Sequence, residues 1–153
     1  MLQAIFYILL LIPSLSYSKT TIDSDQLDIN FYEKIANFKG NVQISSDEIA
    51  FVADLMEVTF LADNTIQNIT AKSNKKLINA TIQREGKHYK LQCREIFIDM
   101  VSKIITASDA TFSNHNSSMS GEKIIYNIDN GQLLLSGEKQ VKISIEDESE
   151  KPR

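Results

Sequence analysis

One cysteine, two prolines, five glycines and no tryptophan occur in the 153 residues. A single thiol rules out an internal disulfide, so nothing staples this chain covalently. The scarcity of proline and glycine leaves no low-complexity linker, and the length suits one domain with its own core. Histidine is nearly missing. His88 and His115 stand in polar, loop-like contexts without a spaced cysteine or carboxylate cluster, so both are expected at the surface and no metal site is expected. No P-loop, dinucleotide fingerprint or Ser/His/Asp signature occurs, so no catalytic residue or cofactor is expected. Positive charge is in deficit at a net −4, with no basic stripe for phosphates, which argues against a nucleic-acid partner. A sustained helical period is also absent. Ser46 to Glu57 can be forced into one, but Phe51-Val52 and the flanking alternation oppose it.

Only one long apolar run is present. Leu2 to Leu15 carries no charge, Pro13 interrupts it, and Ser16-Tyr17-Ser18 places small residues where a signal peptidase reads. Residues 1–18 are expected to be a secretory signal cleaved after Ser18, although no Lys or Arg precedes the apolar stretch. A retained anchor needs roughly 20 apolar residues, more than this run offers.

What the chain does have is alternation. In Phe38-Lys39-Gly40-Asn41-Val42-Gln43-Ile44 the apolar side chains point one way and the polar ones the other, the period of a half-buried strand. Ser45 to Glu48 breaks the pattern, and Ile49, Phe51 and Ala53 resume it, so a hairpin is expected. Gly40 lies inside the alternation and is expected to allow close backbone approach or sheet curvature. Further strands are expected around Leu27 and Ile29, Val58 to Phe60, Ile66 to Ala71, Leu77 to Ile82, Tyr89 to Cys93, Ile96 to Met100, Ile104 to Phe112, Ile124 to Ile128, Leu133 to Leu135 and Val141 to Ile145. Turns are expected at Glu33-Lys34, Asp54 to Glu57, Ser73 to Lys76, Arg84 to Lys87, Val101 to Lys103, Ser113 to Ser118 and Asp129-Asn130-Gly131. Cys93 falls on an apolar side and reads as a small buried hydrophobe. The acidic residues are spread along turns and outward positions as a solvated face. Glu146 to Arg153 reads as a charged, frayed tail.

A short opening recurs: Ser24-Asp25-Gln26-Leu27, Ser46-Asp47-Glu48-Ile49, Cys93-Arg94-Glu95-Ile96 and Gly121-Glu122-Lys123-Ile124, at separations of 22, 47 and 28 positions. A degenerate copy is expected in the long gap, near Asn64 to Ile82. Such periods point to stacked units, none able to bury its apolar face alone.

The same residues carry a resemblance. Ser24-Asp25-x-Leu27-Asp28-Ile29, Ala36-x-Phe38-x-Gly40-Asn41-Val42 and Gly121-Glu122-Lys123-Ile124-x-Tyr126 resemble the OstA-like family of periplasmic lipopolysaccharide transport proteins, over roughly residues 20–145. The resemblance implies an all-β, twisted open β-jellyroll of stacked antiparallel hairpins. The domain is expected at 19–146, with the tail at 147–153. It implies a carrier that takes lipopolysaccharide by the acyl chains of its lipid A. It also implies end-to-end assembly between an inner-membrane-anchored LptC-like protein and an outer-membrane LptD-like β-barrel. Alternatives are the membrane-anchored LptC-like partner itself and a structural β-solenoid without a lipid. The inward, candidate lipid-binding positions are Ile22, Phe38, Val42, Ile44, Ile49, Phe51, Ile82, Ile98, Met100 and Tyr126. Each serves equally well as ordinary core.

Overall fold

The computed structural model describes residues 20–47, 49–137 and 141–145. The expected signal and charged tail lie outside the described residues. Twelve strands form one antiparallel sheet: β1 (Thr21–Asp23), β2 (Gln26–Asn30), β3 (Ile35–Ser45), β4 (Ile49–Phe60), β5 (Ile66–Lys72), β6 (Ile78–Arg84), β7 (Lys87–Cys93), β8 (Glu95–Asp99), β9 (Ile104–Ser113), β10 (Ser117–Asn127), β11 (Leu133–Ser136) and β12 (Lys142–Ile145).

The long strands β3, β4, β9 and β10 each pair with one set of neighbours through their first half and another through their second. The sheet is therefore folded on itself. One half runs β1-β3-β4-β6-β7-β9-β10-β12; the other runs β2-β3-β4-β5-β8-β9-β10-β11. Buried side chains from both halves form a single cluster that includes Val42, Phe51 and Ile78 from the first and Phe38, Met56 and Ile96 from the second. The alternation is borne out as strands, and the architecture is the twisted β-jellyroll that the family resemblance implied.

The fold line between the halves is built from polar residues. At Gly40 (φ 76°) and Asn41 (φ 45°) β3 carries a bulge, and its register with β4 shifts between Lys39 and Val42. A Cβ on Gly40 would meet Asp25 Oδ2 at 2.6 Å, so the close approach expected there is real. Asp25 N donates to the Gly40 carbonyl at 2.9 Å, and Asn41 Nδ2 donates to Asp25 Oδ2 at 3.1 Å. The next corner joins Asp54 N to Ser73 Oγ at 3.3 Å and Asn74 N to Asp54 Oδ2 at 2.9 Å. Ser73 N then donates to the Arg94 carbonyl at 3.2 Å, and Arg94 N to the Ser108 carbonyl at 3.0 Å. Corner residues thus bond to one another up the stack.

Two expected turns are corrected by this arrangement. Asp54 to Glu57 does not reverse the chain; it lies inside the continuous β4. Asp54 and Leu55 both face outward, so alternation slips by one position as the strand passes from one half-sheet to the other. A slip and a turn leave the same polar gap in the sequence. Ser73 to Lys76 likewise carries the chain across the corner from β5 to β6, which do not pair with each other. Of the repeated openings, those at Ser24, Cys93 and Gly121 sit at the fold line, whereas Ser46-Asp47 is part of the β3–β4 hairpin turn.

The hairpin tips share a second device. Asn30, Asp99, Asn114 and Asn127 each accept, through Oδ1, backbone N–H bonds from residues two and three positions on. The backbone N–H of Ser102 foremost, with further bonds from Ser102 and Val101, holds the Asp99 carboxyl below its usual range. The expected Arg84 to Lys87 and Asp129 to Gly131 reversals are present, with Glu85 (φ 52°) and Gly86 (φ 74°) at the first tip.

Candidate functional site

Cross-strand register converts the alternation into continuous inward rows. In one half-sheet, directly paired residues run Ile22, Ile44, Phe51, Ala80, Leu91, Phe112, Met119, Ile143. In the other, two rows are complete. Nearer the fold line it is Leu27, Phe38, Met56, Ala71, Ile96, Ala107, Ile124, Leu135. Farther out it is Ile29, Ala36, Val58, Ile69, Ile98, Ile105, Tyr126, Leu133. Apart from the Tyr126 hydroxyl, no polar side chain interrupts these rows from the first strand to the last. Among the described residues no polar or charged residue is buried as a whole, although the Thr59 hydroxyl oxygen is buried.

In most strands burial decreases away from the fold line, although Ala36 and Val58 in the farther row stay buried. Val42, Ile78, Cys93 and Ile96 beside it are 0% exposed, whereas Ile49, Ile82, Ile69 and Ile105 are only half-buried. The cross-section is a wedge, dry at the corner and opening toward the hairpin tips. All ten residues singled out from the sequence face inward. Phe38, Val42, Ile44, Phe51 and Ile98 lie in the dry part; Ile22, Ile49, Ile82, Met100 and Tyr126 lie partly exposed toward the strand ends. Register adds Ile69, Ile105, Phe112, Met119 and Leu133 to the same lining, which single-strand alternation could not find.

The buried side chains of the two half-sheets pack together as one cluster in the interior. A pocket of about 250 Å³ lies near the fold line, where Lys39, Leu55, Glu57 and Lys72 contribute to its wall beside the buried Phe38 and Met56. At the open side, Tyr89 and Phe112 stack with ring centroids 5.3 Å apart. Arg84 Nη1, at the end of β6 in one half, donates to the Tyr126 hydroxyl in the other half.

The remaining chemistry is sparse. Both histidines are exposed, as expected. Among the described residues, no group of three or more His, Cys, Asp and Glu side chains is assembled for a metal ion, and no helix is long and apolar enough to cross a membrane. Cys93 is fully buried, and desolvation pushes its thiol up to about 12. The folded protein is therefore expected to leave Cys93 unmodified by a thiol reagent at pH 8, with full reaction in denaturant. The sign for stability follows. The unfolded thiol ionises from about pH 8.5, while the folded one stays protonated to about pH 12. The unfolded state thus binds fewer protons in that window, and stability falls as pH rises through it. Rapid labelling of native protein at pH 8 would contradict the buried placement.

The family model for the LptA/(LptD N-terminal domain) LPS transport protein matches residues 21–132. The chain belongs to this family. Its LptA-type jellyroll is also similar to the crystal structure of LptH, described as the LptA homologous periplasmic component of the conserved lipopolysaccharide transport device from Pseudomonas aeruginosa. That likeness covers 84% of this chain and 95% of LptH, at 12% sequence identity and a TM-score of 0.74. No curated protein sequence matches the chain.

Proposed function

We propose that this chain is a periplasmic lipopolysaccharide carrier, exported by residues 1–18, that holds acyl chains between its two half-sheets. The observation that supports it is the unbroken run of inward apolar rows from β1 and β2 to β11 and β12. Each methylene removed from water is worth about 0.8 kcal/mol, so a continuous row shelters an acyl chain at any point along it. The wedge leaves a charged sugar headgroup outside while its chains are dry.

The rows end on unpaired edges. Among the described residues, β1 and β2 pair only with β3, and β11 and β12 only with β10. Open edges of this kind accept a strand from another chain. Edge-to-edge joining of like domains would make the lining continuous between copies. It would also connect an LptC-like protein at the inner membrane to an LptD-like barrel at the outer membrane. The packed interior favours a second reading, a structural β-solenoid without a ligand; the carrier requires the half-sheets to part.

Purified mature protein distinguishes the two. Captured on resin and incubated with lipopolysaccharide, the carrier is expected to retain it through washing and to retain far less of the deacylated saccharide. Equal retention of both, or of neither, would favour the structural reading.

A further inference from the structure

Arg84 occupies an unusual position. It lies two residues beyond Ile82, on the inward side of β6, yet is exposed at the end of the strand. Across the opening it donates to Tyr126, which continues the row of Ile98 and Ile105 on the opposite half-sheet. Lys87 is its direct cross-strand partner. Like charges placed opposite each other repel. Neither cation takes part in the ion pairs formed among the described residues, which are Lys72 with Glu95 and Arg94 with Asp109. The opening therefore carries two cations that are not ion-paired, with the exposed Glu85 at the tip between them. One member is held by a neutral phenol.

We propose that Arg84 and Lys87 form a phosphate-binding site at the lip of the apolar interior, taking the anionic headgroup of an amphiphile whose chains lie inside. The site rests on the carrier reading above. A guanidinium presents a planar fork that binds a phosphate through two parallel bonds, whereas the phenol oxygen accepts one neutral bond. Arrival of the phosphate exchanges the weaker bond for the stronger. The same exchange releases the side-chain hydrogen bond that joins Arg84 to the opposite half-sheet, so headgroup capture favours parting of the half-sheets. Before loading, the Arg84–Tyr126 bond spans the opening.

The test compares three probes on the purified mature protein: phosphorylated lipid A, its dephosphorylated form and inorganic phosphate. The wild type is expected to prefer the phosphorylated lipid by about tenfold or more, the scale of a charge-assisted hydrogen bond. Arg84→Ala should abolish that preference while still binding the dephosphorylated lipid. Arg84→Lys should keep only part of it. Tyr126→Phe should increase it, because the competing acceptor is gone. Lys90→Ala, which removes an exposed cation from the same strand as Lys87, should leave the preference intact. A photoreactive side chain at Ile98 reports independently whether lipid enters the interior. Labelling at Ile98 with no effect of Arg84→Ala on the preference would overturn the phosphate site and leave the carrier standing. Absence of labelling by either lipid would overturn both. Tight binding of inorganic phosphate alone would make this a free-anion site and overturn the headgroup assignment.

Discussion

Gly40→Val is expected to destabilise the protein by about 4 kcal/mol, from backbone strain and overpacking of roughly 1–3 kcal/mol each. Gly40 has φ 76°, a region that a β-branched residue avoids. Its added Cβ would stand 2.6 Å from Asp25 Oδ2 and 3.1 Å from Asp25 Cβ. The carboxylate cannot simply swing aside without giving up its bond from Asn41 Nδ2. A domain of ordinary stability has only about 5–15 kcal/mol in total, so the variant should unfold at a much lower urea concentration. Gly40→Ala in an Asp25→Ala background separates the two contributions. With the carboxylate gone, the 2.6 Å contact is removed and the cost should shrink toward the backbone strain and the remaining 3.1 Å approach to the Cβ at position 25. An unchanged cost would mean that the clash with Asp25 is absorbed elsewhere.

Ile82→Glu is expected to lower lipopolysaccharide retention by close to a hundredfold, and its neighbour Thr81→Glu to leave retention unchanged. Ile82 pairs with Ile49 and Tyr89 in the row nearest the opening and packs against the core. Its side chain is half-buried, so a carboxylate there can reach water in the empty protein and the fold survives. With an acyl chain in place the carboxylate must be desolvated, and the apolar contact of the isoleucine is lost. That contact alone is worth about 1.5–3 kcal/mol, and about 1.4 kcal/mol corresponds to a factor of ten. Thr81 is exposed on the outward face of the same strand, where substitutions usually change stability by no more than about 0.5 kcal/mol. Equal losses from both substitutions would show that charge on β6, rather than its inward face, controls retention.

Much of this was legible along the chain, and the remainder shows which physics a linear reading misses. The β3–β4 hairpin, the Arg84 to Lys87 tip and the Asp129 to Gly131 tip announce themselves through local turn chemistry and period-two alternation. The inwardness of Phe38, Val42, Ile44, Phe51 and Ile98 follows from the same alternation, because one face of each strand is buried. Asp54 misleads for a definite reason. A polar residue where a strand crosses between half-sheets interrupts alternation just as a reversal does. Only its bonds to Ser73 and Asn74 reveal a corner. Ile69 and Ile105 were missed because their rows are made by register between strands that are distant in sequence. The Arg84–Tyr126 contact spans 42 positions and has no local signature at all.

The most direct measurement places a photoreactive side chain at Ile98 and, separately, at Phe97 in cells making lipopolysaccharide. These adjacent residues of β8 face opposite sides: Ile98 is 7% exposed on the inward row, and Phe97 is 37% exposed on the outer surface. The carrier account predicts a lipopolysaccharide adduct at Ile98 and none at Phe97. Equal labelling at both, or no adduct at Ile98 in a folded and exported protein, would contradict it.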